Sequence, residues 1–357
     1  MEQVAVNKSK KETIILLLLS TVFLIVSTYA WFSTNTSVRV NTLDIYVEAG
    51  EGLQISLDGL NWKTVIQSNE IIAEALKDTY AAHKNHLPEK MYPASTATHT
   101  DSSGYMEMFL GEAVLDDTKG SLTYGEYIIT ATKMSDERET ASGYAAFDLF
   151  FKTNSDMDLY VQTDAGVYDI AADDSPNYGK GIENAARIGF VNQGDIPITD
   201  PRRDYALAAA AQGLQYTDFS DGRNVTIWEP NFDDHTENAK IDTYNFFGIL
   251  DTDLIWDNEI FYDGVYANIA SPILLNQNNA TLYPQYFERI PDSRFFRTEK
   301  ATRTDLRKTD IILYAGVTKV RVYLWLEGQD YDCQDSASGS DISFVLSFQG
   351  ENVGTGP

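Results

Sequence analysis

The run VRVYLWL, Val320–Leu326, decides the fold class. Val320, Val322, Leu324 and Leu326 alternate with Arg321, Tyr323 and Trp325, a period of two that an extended strand turns into one apolar face. A second run answers it at ISFVLSF, Ile342–Phe348, where Ile342, Phe344, Leu346 and Phe348 alternate with Ser343, Val345 and Ser347. The acidic segment EGQDYDCQDSASGS, Glu327–Ser340, joins them, so the two are expected as a strand pair. Cys333 lies in that segment and is expected to be exposed among carboxylates, the reverse of the electropositive setting of an activated thiol. Dimerisation through it is the alternative use.

Upstream, strand patterns recur at short intervals. Val38 and Val40 alternate, then Leu43, Ile45 and Val47 do so in the other parity, which predicts a bulge or corner at Asn41-Thr42. Leu53, Ile55 and Leu57 lead into Asp58-Gly59, a hairpin signal answered by Trp62–Ile66. Further strands are expected at Tyr105–Leu115, Leu122–Met134, Tyr144–Lys152 and Met157–Gln162. Turn-separated strands at this spacing indicate an all-β sandwich or barrel. Helical spacing enters at Ser68–His86, with Ser68 as cap and Ile71, Ile72, Ala75 and Leu76 on one face. Residues 166–300 alternate less cleanly. They are expected to form a partly helical excursion between strands, with helices at Ile182–Phe190 and at Arg202–Leu214, after Pro201.

The N-terminus says where the chain goes. Ile14–Phe32 contains no charged residue and follows Lys8, Lys10 and Lys11. Nineteen residues make a helix of roughly 28 Å, close to a bilayer's hydrocarbon thickness. Lysines on the N-terminal side alone keep the first residues in the cytoplasm and export the rest, and Trp31 and Phe32 suit the interface. Thr28 and Ala30 also fit the small-residue pattern of a signal cleaved after Ala30. Residues 1–32 are therefore a signal peptide or a membrane anchor, and 33–357 an extracellular domain.

The whole chain carries a net charge of −26; residues 1–32, with three lysines and two glutamates, contribute +1, which leaves −27 beyond them. Such a domain repels nucleic acid and anionic lipid. With one cysteine no intramolecular disulfide can form. No cysteine follows the apolar stretch at its outer edge, and 350–357 lack an apolar tail, so lipoprotein, GPI and wall-sorting signals of the usual layout are not expected. Phosphate loops, nucleophile elbows and HExxH helices are missing, no catalytic residue stands out and no enzyme is expected. Paired carboxylates on separate strands leave no local signature, which keeps a hydrolase as the third class. His83, His86 and His99 cluster loosely, with no obvious further zinc ligand nearby. Calcium is the cation considered, at Asp218, Asp221, Asp233, Asp251 and Asp253, none of them in an EF-hand loop. Beside these carboxylates, Trp228, Trp256, Tyr262 and Tyr266 give the alternative function, a membrane-tethered glycan- or cation-binding module.

Ala30-Trp31-Phe32-Ser33-Thr34-Asn35, then Ser37–Val40 and Thr42-Leu43-Asp44-Ile45, resemble the opening of the TasA/camelysin-type surface and biofilm-fibre proteins of Gram-positive bacteria. The likeness covers about the first fifty residues. It implies a jelly-roll-like antiparallel β-sandwich, removal of the signal near Ala30, and self-association of mature chains into extracellular fibres, with no cofactor. Val38, Val40, Leu43, Ile45 and Val47 are then the apolar side chains of a strand donated to a neighbour. Deleting Ser33–Val40 is expected to abolish polymers and leave a folded monomer. The chain departs from the family in its 166–300 excursion and in the bulky Trp31.

Overall fold

The computed structural model describes residues 37–48, 52–75, 85–100, 105–115, 117, 119–120, 127–134, 143–162, 164–170, 181–197, 204–214, 225–231, 253–256, 259–262, 273–274, 296–300, 307–328, 333 and 339–353. The described chain is mostly β-sheet. Its first half holds β1 (Val38–Val47), β2 (Gln54–Ser56), β3 (Val65–Ile66), helix α1 (Ser68–Ala75), β4 (Lys90–Met91), β5 (Ser95–Thr100), β6 (Met106–Leu115), β7 (Tyr127–Lys133), β8 (Tyr144–Thr153), β9 (Met157–Val161) and β10 (Gly166–Asp169). After a 3₁₀ turn at Ile182–Ala185 come β11 (Ala186–Pro197), α2 (Asp204–Gln212), β12 (Val225–Glu229), β13 (Asp253–Trp256), β14 (Glu259–Tyr262), β15 (Ile273–Leu274) and β16 (Phe296–Lys300). The chain closes with β17 (Arg307–Leu313), β18 (Gly316–Leu326) and β19 (Asp341–Asn352).

The first sheet runs β17-β9-β19-β1-β3, with β10 on β19 and β4 on β1. β1 lies parallel to β19, and its register slips between Val40 and Thr42. The slip carries the pattern across the parity change, so that Val38, Val40, Leu43, Ile45 and Val47 all turn into the core. The second sheet runs β13-β14-β16-β12-β11-β18-β8-β2, and a smaller one β15-β7-β6-β5. One apolar cluster draws on both large sheets. The ring of Phe348 on β19 meets Phe151 of β8 at 5.4 Å and Phe190 of β11 at 5.8 Å, both edge-on.

The other side of the second sheet is covered too. Phe150 of β8 and Val317 of β18 pack with Ile196 and Ala211, the latter on α2. Further along, a Cβ on Gly189 would stand 2.6 Å from the sulfur of Met106 on β6. Glycine there leaves room for the far end of the Met106 side chain.

Several expectations change. The last two long strands do not pair: β18 bonds to β11 and β8, and β19 to β1, β9 and β10. Segment 327–340 therefore crosses from one sheet to the other. The sheets are also mixed rather than purely antiparallel, because β1–β19 and β12–β16 are parallel pairs. Ile182–Phe190 is one 3₁₀ turn followed by a strand, not a helix. β11 is buried on both faces, so its apolar residues show no alternation to read. This strand lies inside the second sheet, and the helix after Pro201 is present as α2.

The Asp58-Gly59 reversal forms, but only Ile55 and Lys63 bridge across it; β2 then joins the second sheet and β3 the first. At the start of α1, Glu70 accepts from the backbone N–H of Gln67 at 3.1 Å, the return half of a capping box with Gln67 at the cap position. The hydroxyl of Ser68 instead accepts from the N–H of Leu43, and Ile72 is exposed, unlike Ile71. Cys333 is fully buried in the common core, which corrects its expected exposure. Tyr105–Leu115, Tyr144–Lys152 and Met157–Gln162 are strands as expected, and β7 occupies the end of Leu122–Met134.

Candidate functional site

The first strand is the element to which the sequence assigns a role. Eight of the ten residues of β1 pair along β19, from Arg39 opposite Asp341 to Val47 opposite Phe348. The hydroxyls of Thr42 and Ser343 meet side by side on that seam. Its other edge is covered in pieces. Arg39 pairs with Lys90 of β4 and Ile45 with Ile66 of β3, and between them the N–H of Val40 donates to Glu89 O at 3.0 Å and that of Leu43 to Ser68 Oγ at 3.1 Å. Val38, Leu43 and Ile45 are fully buried, each worth about 1.5–3 kcal/mol of apolar transfer. All five strand-donor candidates are thus core residues of their own domain. Deleting Ser33–Val40 would remove Val38 and Val40 from that core, so the expected folded monomer does not follow.

Sequence periodicity gives no hint of a second feature. Asp148 of β8 is fully buried between two cations of β18, with Arg321 Nη1 at 3.1 Å and Lys319 Nζ at 3.3 Å, both equally sealed. Lys319 also donates to the carbonyls of Gln212 and Leu214, at 2.8 and 3.1 Å. These lie at the C-terminal end of α2, whose partial negative charge favours a cation. Arg321 stacks over Tyr323 at 5.7 Å and reaches Asn85 Oδ1 at 3.4 Å, which also accepts from the Asp148 N–H. The cluster pins α2 to the sheet and is closed to solvent, so its chemistry is that of a clamp. Its signal in the sequence is a charge inside each of two apolar runs, AAFDLFF and VTKVRVYLWL.

At the Asp58 corner the carboxylate accepts from the N–H groups of Leu60 and Asn61, both at 2.8 Å, from Asn61 Nδ2 at 2.6 Å and from Ser56 Oγ at 2.8 Å. Burial pushes its pKa up, but these bonds outweigh it and hold Asp58 below its ordinary value. Gly59, at φ +71°, packs against Ala208 of α2, and Gln212 donates to Asp58 O at 2.7 Å. A depression of about 290 Å³ beside this corner is lined by Asp58, Lys63, Glu70 and Glu74 among others. Glu70 is held low chiefly by the hydrogen bond from Lys63.

Few of the remaining assigned residues fall among the described ones. Lys8, Lys10, Lys11, Ala30, Trp31 and Phe32 lie outside the described residues, as do Asp218, Asp221, Asp233, Asp251, His83 and Tyr266. Asp253 and Tyr262 stand opposite each other on β13 and β14. Trp228 is buried at 3 % exposure, so it offers no stacking face to a glycan. The His86 ring sits edge-on to Tyr144 at 5.2 Å, with Nε2 2.9 Å from Tyr144 O. Among the described residues no group of three or more His, Cys, Asp or Glu could hold a metal ion, and no helix is long and apolar enough to cross a membrane. The chain matches no protein-family model, no curated protein and no solved structure.

Proposed function

We propose that this chain is a non-enzymatic cell-surface or extracellular structural protein that assembles by β-strand addition. In this reading Ile14–Phe32 deliver the domain to the outside, its two large sheets stack as a jelly-roll-like sandwich, and β1 is the exchanged element. The observation that carries the proposal is the position of β1. It is the strand nearest the apolar stretch, yet it sits inside a sheet beside the last strand, β19. As the first strand along the chain, β1 can leave without unthreading the rest, and a second copy's β1 can remake the same bonds. Donation is then a swap of β1 between copies rather than the filling of a vacant groove.

A double variant tests it. Thr42→Cys and Ser343→Cys, in a Cys333→Ser background, place two thiols on the β1–β19 seam. Oxidation of dilute protein closes the bond within one chain and should block assembly, while oxidation after assembly should give covalently linked chains. A locked protein that assembles as readily as the reduced one overturns strand exchange.

A further inference from the structure

We infer that the end of the domain formed by Ser37, Lys90, Ile170 and Asp341 faces the lipid headgroups, with the strands of the first sheet rising away from the membrane. The inference rests on the reading of Ile14–Phe32 as a retained membrane segment. From Phe32 to the first described residue, Ser37, the chain has only Ser33–Thr36. Whatever path they take, the five Cα–Cα steps from Phe32 to Ser37 reach no further than roughly 18 Å. A segment ending at the interface therefore holds the Ser37 end of β1 close to the bilayer surface.

The structure identifies what shares that end. The N–H of Gly339 donates to Ser37 O at 2.7 Å and that of Ile170 to Asp341 O at 3.0 Å. The starts of β1 and β19, the end of β10 and strand β4 thus form one rim. β19 runs from this rim for twelve residues, roughly 40 Å at strand rise, and places Val353 at the opposite end. Ile170 is 39 % exposed on the rim and Val353 53 % exposed beyond it. On the rim Arg39 and Lys90 stand opposite each other across β1 and β4; Asp341 lies 3.8 Å from Arg39, and Glu89 is exposed beside Lys90.

The test uses the full chain reconstituted in vesicles of phosphatidylcholine and phosphatidylglycerol. A donor dye is placed at Ile170→Cys or Val353→Cys in a Cys333→Ser background, with an acceptor on the lipid headgroup. The expected result is strong energy transfer from position 170 and weak transfer from 353. Equal transfer, or stronger transfer from 353, in protein that floats with the vesicles overturns the orientation alone. Protein that fails to float overturns the membrane segment and the orientation with it, so the two failures are told apart by flotation.

Discussion

β1 and β18 carry the same kind of sequence signal and meet different fates. In β1 the apolar set Val38, Val40, Leu43, Ile45 and Val47 is buried, while Arg39 and Asn41 are exposed. In β18 all eleven residues are buried, including Lys319 and Arg321. Alternation says which side chains share a face; it does not say whether the opposite face meets water. β18 has a core on one side, and α2, β6 and Asn85 against the other, so its polar residues are sealed and paired. β1 has one wet face and binds its neighbours through backbone and apolar packing.

Substitutions should separate the two strands by size of effect. Asp148→Ala leaves Arg321 and Lys319 buried without their carboxylate, and should cost about 3–5 kcal/mol in urea unfolding; a loss below about 1 kcal/mol would mean the cluster is open to water. Leu43→Ala, on the β1 side, should cost about 2–5 kcal/mol by the same measurement. A near-zero value there would remove β1 from the core and with it the swap as drawn. Gly189→Ala forces the far end of the Met106 side chain to turn aside, at a cost of about 1 kcal/mol, and the companion Met106→Ala should relieve that clash.

The smallest effect belongs to the Asp58 corner and is read through pH. The carboxyl is lowered in the folded protein, so its contribution is fully present above the unfolded value, about 3.9, and is lost as pH falls through the folded value. The melting temperatures of the wild type and Asp58→Ala should therefore differ most near neutrality and converge below about pH 4. A difference that stays constant with pH would show that the turn is held by its backbone conformation alone.

How much was legible follows from these residues. The bulge at Asn41-Thr42 was readable because one face of β1 is wet and the parity change is visible. The Asp58-Gly59 reversal was readable from local turn chemistry, although its partners were not: Ile55 joins one sheet and Ile66 the other. Ala186–Phe190 reads as helix because burial on both faces erases alternation, and the small residues Ala186 and Gly189 mimic a helix pattern. Asp148, Lys319 and Arg321 stood in plain view as charges in apolar runs, but their pairing spans 171 or more positions, beyond any local pattern.

By itself the sequence determined what local physics controls: the β class, the reversal at Gly59, the helix after Pro201, the strong acidity, and a nineteen-residue apolar stretch of membrane length. Only the tertiary structure decided which strands are neighbours. It put β19 beside β1 instead of β18, buried Cys333, and closed the Asp148 cluster. The physical reason is that strand pairing and two-sided burial depend on contacts between residues far apart in the chain, and a period of two is the same whichever neighbour a strand acquires.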